Sequence, residues 1–116
     1  MNKRRAERGG RRAETIAAWW LRLKGWTILG RRIRTPVGEI DLVARRDRIV
    51  AFVEVKARAT EAAAGFALDE HRLRRVAAAA GAIAHLYARP GDDIRIDAMF
   101  IVPRRLPRHL ANVWHG

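Results

Sequence analysis

The apolar positions follow a helical period in the first part of the chain and a strand-like pattern in the next. Over residues 11–24 they recur about every 3.6 residues, as in an amphipathic helix, and Gly25 suits a helix end. The segments 26–34, 37–44 and 49–57 are rich in strand-forming residues and are separated by turn residues. Since the last of the three is almost wholly apolar, we predict a central strand covered on both faces.

The second half of the chain repeats the change from helix to strand. After a loop of small residues at 60–65, residues 68–87 place their apolar side chains on one stripe and predict a long helix. Residues 94–102 predict a last strand, and residues 106–114 predict a short helix. The order of helix, three strands, helix and strand predicts an α/β domain in which helices flank one mixed sheet.

Length and charge narrow the class of protein. A chain of 116 residues can bury one hydrophobic core, and we assign residues 11–116 to a single domain. Residues 1–10 are basic and end in a glycine pair, which predicts a disordered tail. The net charge of +12 favours a polyanionic partner, most simply DNA. The alternative is that the arginine content only reflects the base composition of the genome.

The composition also excludes several kinds of site. The chain has no cysteine, which excludes disulfides, thiolate zinc sites and a cysteine nucleophile and leaves oxygen atoms as the metal ligands to consider. The basic N-terminus is not followed by an apolar signal core, and no apolar stretch is long enough to span a membrane. We therefore expect a cytoplasmic protein with no membrane partner.

The candidate chemistry lies on the second and third predicted strands. Asp41 and Glu54 fall on strands that a hairpin would bring together, and two close carboxylates repel each other unless a cation neutralises them. Mg²⁺ or Mn²⁺ suits such a pair, because both ions prefer oxygen ligands. Lys56 lies two residues after Glu54 and therefore on the same strand face. It is one of only three lysines among 24 basic residues, and its ammonium group can position a water molecule or offset developing charge.

This pattern has a plain structural alternative. Glu54 and Lys56 could form an ordinary ion pair while Asp41 faces solvent, since short motifs often occur by chance. A metal site is favoured because these charges lie on or beside a highly apolar strand, where unpaired charges would be costly. Glu14, at the edge of the apolar arc of the first helix, is a candidate third carboxylate that would act through an intervening water.

Several motifs resemble those of a known bacterial family. They are Glu14 in the first helix, GEIDLVA at 38–44, FVEVKAR at 52–58, Gly65, and Arg95-Ile96-Asp97. Together they resemble the uncharacterised YraN family, which is similar to archaeal Holliday-junction resolvases and belongs to the PD-(D/E)xK, or restriction-endonuclease-like, superfamily. The resemblance implies an αβββαβ nuclease core with Asp41, Glu54 and Glu14 as metal ligands. It also implies that Lys56 is the catalytic lysine. Arg72 stands where the second helix of the family often opens with a lysine.

Surface arginines supply the candidate contacts to nucleic acid. Each alone is an ordinary exposed arginine, whereas together they favour binding to the phosphate backbone of DNA. The candidates are Arg31, Arg32, Arg34, Arg45, Arg46, Arg58, Arg72 and Arg75. Trp19, Trp20 and Trp26 are expected in the core. Asp97 is expected to be a structural acid, and the four histidines show no ligand spacing.

Three functional interpretations follow. The leading one is a Mg²⁺- or Mn²⁺-dependent nuclease that hydrolyses phosphodiester bonds in DNA and is specific for branched or junction structures. The second is a module with a nuclease-like fold that binds nucleic acid, or acts as a scaffold, without cutting. The third is a protein-interaction domain whose basicity is incidental. A resolvase-like activity would suit a homodimer, because a symmetric junction presents two equivalent sites.

Overall fold

The computed structural model describes residues 3–60 and 69–115 as a five-stranded sheet with a helix on each face. The helices are α1 (Lys3–Leu23) and α2 (Glu70–Tyr87). The strands are β1 (Thr27–Thr35), β2 (Gly38–Arg46), β3 (Ile49–Ala57), β4 (Asp93–Ile101) and β5 (Arg108–Leu110). The predicted α/β class and αβββαβ order are confirmed, and β5 adds a strand to them.

The sheet is mixed, as predicted. β1, β2 and β3 form an antiparallel meander, β4 runs parallel to β3, and β5 pairs antiparallel with β4 at the edge. β3 is the central strand: Ala51 and Val53 pack on the α1 side, whereas Val50 and Phe52 pack on the α2 side. Because both faces of β3 are covered, nearly every position along it can be apolar.

α1 ends where the sequence predicted. Gly25 adopts a φ of 90°, a left-handed conformation that glycine takes without steric penalty. The Trp26 N–H donates to the Leu21 carbonyl at 3.0 Å, and the Gly25 N–H donates to the Arg22 carbonyl at 3.1 Å. These bonds satisfy the last carbonyls of the helix, and the chain then enters β1 with Trp26 buried against α1.

α2 begins at Glu70, where Asp69 caps the helix by accepting a hydrogen bond from the His71 N–H at 2.8 Å. Gly65 and most of the predicted loop at 60–65 lie outside the described residues, as does Leu68, the predicted first residue of this helix. Within the described ranges, neither helix is long and apolar enough to cross a membrane.

Three local predictions are wrong. The helix α1 begins at Lys3, eight residues before its predicted start at residue 11, because most residues from 3 to 10 are good helix formers. The segment 106–114 contains β5 in place of a helix, since the open edge of β4 takes a backbone partner there. Trp19 is 60% exposed, although the sequence placed it in the core, because α1 turns only one stripe toward the sheet.

Candidate functional site

The candidate site lies where β2 and β3 separate. The two strands pair from Arg46 opposite Ile49 to Leu42 opposite Val53, and the next positions in this register are Asp41 and Glu54. Beyond this point β2 continues beside β1, and β3 continues beside β4. Asp41 and Glu54 therefore lie at the opening of a fork between two strands, which brings the two predicted carboxylates together.

The side chain of Asp41 links β2 to β3 beyond the point where the two strands stop pairing. Its Oδ2 atom accepts a hydrogen bond from the Val55 N–H at 2.8 Å, beyond the last paired residues of β2 and β3. Burial and the neighbouring charge of Glu54 raise the pKa of Asp41 to about 7, although the hydrogen bond from Val55 acts to lower it. The charge of Glu14 adds to the rise, and the charge of Arg72 opposes it. A cation beside Asp41 would favour its ionised form.

Glu54 is the buried acid of the site. Its side chain is 1% exposed, and its Oε1 atom forms ion pairs with Lys56 Nζ at 3.2 Å and Arg72 Nε at 2.9 Å. The other oxygen, Oε2, is buried and has no hydrogen-bond partner among the described residues. Because a buried carboxylate oxygen without a partner is costly, Oε2 is a natural position for a ligand.

A cleft of about 260 Å³ opens beside these residues, between β2 and α2. Glu39 and Asp41 line its β2 side, and Arg72 and Arg75 line its α2 side. The two arginines are three residues apart and so share one face of the helix. Glu39 was not among the predicted site residues, although its two-residue spacing from Asp41 puts both on one strand face.

The donor set fits a divalent cation held by two carboxylates. In the described part of the chain, no three His, Asp or Glu side chains form a group that could hold a metal ion. Mg²⁺, however, is commonly bound by one or two carboxylates together with water and substrate phosphate. Oε2 of Glu54, which has no partner in the part of the chain that the structure describes, and the raised pKa of Asp41 both fit a cation at the fork.

Glu14, the predicted third carboxylate, is paired with an arginine of β1. It is buried, and its Oε1 atom pairs with Arg32 Nε at 2.6 Å. Its charge still raises the pKa of Asp41, so it lies near enough to act on the site electrostatically. Its role as a metal ligand stays a prediction.

Six of the predicted DNA-contacting arginines lie on the elements around the site. Arg72 and Arg75 line the cleft, and Arg58 follows β3 at the same end of the sheet. The other three are on β1: Arg31 donates to Thr15 on α1, Arg32 pairs with Glu14, and Arg34 is exposed.

Arg45 and Arg46 lie at the opposite end of β2. At the usual strand rise this is about 14 Å or more from Asp41. Arg45 pairs with Asp92 at 2.6 Å, and the guanidinium of Arg46 lies 4.7 Å from the ring centre of Trp26. The structure therefore does not bring these two arginines to the site.

Asp97 is a structural acid, as predicted. Its Oδ1 atom accepts hydrogen bonds from Arg95 Nε at 3.0 Å and from the Asn112 N–H at 2.9 Å. Its Oδ2 atom contacts Arg95 Nη2 at 3.1 Å and His109 Nε2 at 2.7 Å. Burial acts to raise the pKa of Asp97, but the hydrogen bonds from His109, Arg95 and Asn112 together lower it. These contacts fasten β5 and the residues after it to the sheet.

Comparison with known proteins identifies the family. Residues 13–101 match the family model described as Uncharacterised protein family UPF0102. The chain is 63% identical over 114 residues to a UPF0102 protein of Sphingopyxis alaskensis, a match that covers 98% of each chain. It is 59% identical over 114 residues to a UPF0102 protein of Erythrobacter litoralis, again over 98% of each chain. A UPF0102 protein of Rhizorhabdus wittichii is 57% identical over 117 residues, which cover 100% of this chain and 99% of the relative.

The matched range contains all four candidate acidic and lysine residues of the site, Glu14, Asp41, Glu54 and Lys56. The resemblance noted from the sequence motifs is confirmed at the level of the family. This chain belongs to the uncharacterised protein family UPF0102, the YraN family.

Proposed function

We propose that this protein is a Mg²⁺- or Mn²⁺-dependent endonuclease that hydrolyses phosphodiester bonds in DNA, with specificity for branched or junction structures, in the cytoplasm. The observation that carries the proposal is the fork between β2 and β3. There Asp41 and Glu54 follow the last paired residues of β2 and β3, and Lys56 lies two residues after Glu54 on the same strand face. Oε2 of Glu54 has no hydrogen-bond partner among the described residues. The net charge of +12 supports a polyanionic substrate. A homodimer with two such sites stays a prediction.

The residues of the fork divide the chemistry among them. Asp41 and Glu54 would hold the cation, which when bound supplies Lewis-acid activation of the phosphoryl group and of water. Lys56, whose side chain is 14% exposed, would orient the attacking water or offset the charge that develops on the phosphate. Arg72 and Arg75 would bind phosphate oxygens from the α2 side of the cleft.

One observation favours a second function, a nucleic-acid-binding module that does not cut. Lys56 and Arg72 already neutralise Oε1 of Glu54, and the Val55 N–H already satisfies Oδ2 of Asp41. A site completed by protein cations would bind DNA without a metal. It predicts salt-sensitive binding that EDTA leaves unchanged and that is not followed by cleavage.

Incubation with branched, nicked, single-stranded and duplex DNA in Mg²⁺, Mn²⁺ or EDTA tests the proposal. Wild-type protein is expected to cut at least one of these DNAs with a metal and none in EDTA. Asp41→Asn and Lys56→Ala should each lower the cleavage rate by about 100-fold or more. Arg48→Ala, in the exposed turn at the opposite end of the sheet, is the control and should cut as wild type does.

Three other results would redirect the proposal. If Lys56→Ala cuts as well as wild type, the assigned catalytic site is wrong. If nothing is cut but DNA still binds in EDTA, the second function replaces the first. If DNA does not bind even at low salt, both are rejected in favour of a protein-interaction domain.

A further inference from the structure

A second groove opens at the same end of the sheet as the candidate site, but on the α1 side. It has a volume of about 500 Å³ and lies between α1 and the segments that follow β3 and β4. Its apolar lining includes Ile16, Ile101 and Val102. Its charged lining, among the described residues, consists of Arg12, Arg58, Arg104 and Arg105. We call it the arginine groove.

The arginines of this groove differ from several other arginines of the chain in their ion pairing. In the described ranges none of them forms an ion pair with a carboxylate. By contrast, Arg32, Arg45, Arg72 and Arg95 each pair with an acidic side chain. Exposed guanidinium groups beside an apolar surface suit a ligand that is both anionic and apolar. A nucleotide strand has that chemistry, since phosphates alternate with base faces.

Arg104 is held in a strained backbone conformation at the groove. Its φ of 63° lies in the left-handed region, which costs a residue other than glycine about 1–2 kcal/mol. The turn that contains it is closed by a hydrogen bond from the Arg105 N–H to the Val102 carbonyl at 3.2 Å. Glycine would suit this position better on conformational grounds, so an arginine here is consistent with a role for its side chain.

The groove and the candidate site are connected through the end of β3. Successive strand residues point to opposite faces, so Lys56 lies on the face of Glu54 while Ala57 lies on the face of the groove. Arg58 follows directly and lines the groove. Because β3 and β4 run in parallel to the pair Ala57 and Ile101, both segments that line the groove leave the sheet at the end where Lys56 lies.

We propose that the arginine groove binds an unpaired, single-stranded segment of DNA that adjoins the strand held at the candidate site. This proposal rests on the proposed nuclease function for the position of the scissile strand. The arginines bind the phosphates, and the bases lie against Ile16, Ile101 and Val102. A duplex keeps its base faces stacked inside and would leave this apolar lining uncovered. Trp19, exposed one helical turn beyond Ile16 on α1, extends the surface with a ring on which a base can stack.

The test measures DNA affinity in EDTA, so that no cleavage is needed. The probes are a fluorescent oligothymidylate, a blunt duplex, and the same duplex with an unpaired oligothymidylate end. Wild-type protein should bind both probes that contain single strand about tenfold or more tighter than the blunt duplex. Arg104→Ala combined with Arg105→Ala should remove that preference. The salt slope for oligothymidylate should fall by about 1.4, because each arginine that neutralises a phosphate of a single strand contributes roughly 0.7 to it.

The matched control removes the same charge elsewhere. Arg22→Ala combined with Arg48→Ala also deletes two exposed arginines, which lie at the C-terminal end of α1 and in the β2–β3 turn. This control should keep the preference for single strand. Trp19→Leu should reduce oligothymidylate affinity several-fold with little effect on the blunt duplex.

The outcomes separate this proposal from the proposed function. Equal binding of oligothymidylate and blunt duplex, or equal reductions in affinity in the two double variants, overturns the groove proposal alone. Displacement of oligothymidylate by poly-glutamate at equal charge concentration would assign the groove to an acidic protein and overturns it as well. Absence of binding to all three probes at low salt also overturns the groove proposal, whereas the nuclease proposal is decided by the cleavage assay on branched DNA with metal.

Discussion

Asp97 and Glu54 are buried acids on neighbouring strands with opposite surroundings. Each oxygen of Asp97 has two partners, which are supplied by Arg95, His109 and Asn112. Glu54 has both of its ionic partners on Oε1, and Oε2 has none among the described residues. Asp97 lies opposite Val53 in the β3–β4 register, one residue from Glu54, so the two acids point to opposite faces of the sheet.

Asp97 therefore stabilises the fold, whereas Glu54 has an oxygen atom that is still available to a ligand. Hydrogen bonds lower the pKa of Asp97, so it stays charged and fully paired. On the other face, burial and the charge of Glu54 raise the pKa of Asp41 to about 7. Two incompletely paired carboxylates destabilise the native state, and such a cost is typical of functional sites.

Removing Asp97 should give the largest loss of stability. Asp97→Ala leaves Arg95 and His109 without their shared partner and frees β5, so the free energy of unfolding should fall by about 3–4 kcal/mol. Urea denaturation near pH 7 measures it. The control is Glu70→Ala, which removes an exposed pair with Arg74 and should change stability by about 0.5 kcal/mol or less.

Replacing Lys56, the cation beside Glu54, should lower the rate of DNA cleavage strongly and change the free energy of unfolding little. Lys56→Arg keeps a positive charge for Glu54 but replaces a compact ammonium with a planar guanidinium. We expect DNA cleavage to fall by about 100-fold, with the free energy of unfolding changed by about 1 kcal/mol or less. Lys24→Arg, at the end of α1 beside Trp20, is the control and should cleave normally. Full activity in Lys56→Arg would show that positive charge alone suffices at this position.

Asp41→Asn should become increasingly more stable than wild type as the pH rises. Asp41 ionises near 3.8 in the unfolded chain and near 7 in the native state. The stability that its protonation contributes is fully present below 3.8 and is lost as the pH rises through 7. In EDTA, the variant should therefore gain about 2.6 kcal/mol relative to wild type between about pH 5 and pH 8.

Urea denaturation at both pH values measures this gain. Addition of Mg²⁺ at the higher pH should stabilise wild type more than Asp41→Asn, because the wild-type carboxylate would then have a cation. A variant that is less stable than wild type at the higher pH would contradict the raised pKa.

Removal of Arg72, which pairs with the same oxygen of Glu54 as Lys56 does, should have the smallest effect. Arg72→Ala removes a cation that competes for the glutamate, so Mn²⁺ affinity measured by calorimetry should rise about threefold. Arg75→Ala removes a cleft arginine that does not contact Glu54 and should leave Mn²⁺ affinity unchanged. Both variants should bind DNA more weakly. Weaker Mn²⁺ binding by Arg72→Ala would instead mean that Arg72 positions Glu54 for the metal.

The sequence correctly predicted the features that a local pattern sets. The apolar run of β3 indicated a central strand, the spacing of Glu54 and Lys56 put both on one face, and Gly25 marked the end of α1. It failed where distant segments decide the outcome. Arg45 and Arg72 were both predicted to contact DNA. The direction of β2, however, places Arg45 at the far end of the sheet, where it pairs with Asp92.

The sequence by itself determined the family, the αβββαβ order of the first six elements and the identity of the candidate acids and lysine. These features follow from residue types and from the short-range periodicity of apolar residues, and both can be recognised within single segments. Only the tertiary structure decided that pairing of β2 and β3 ends beside Asp41 and Glu54, and that Asp97 is fully paired. It also decided that one oxygen of Glu54 has no partner within residues 3–60 and 69–115. It also brought Arg12, Arg58 and Arg104 to one groove. The reason is physical: burial and pairing are properties of segments brought together by packing, and no local pattern encodes them.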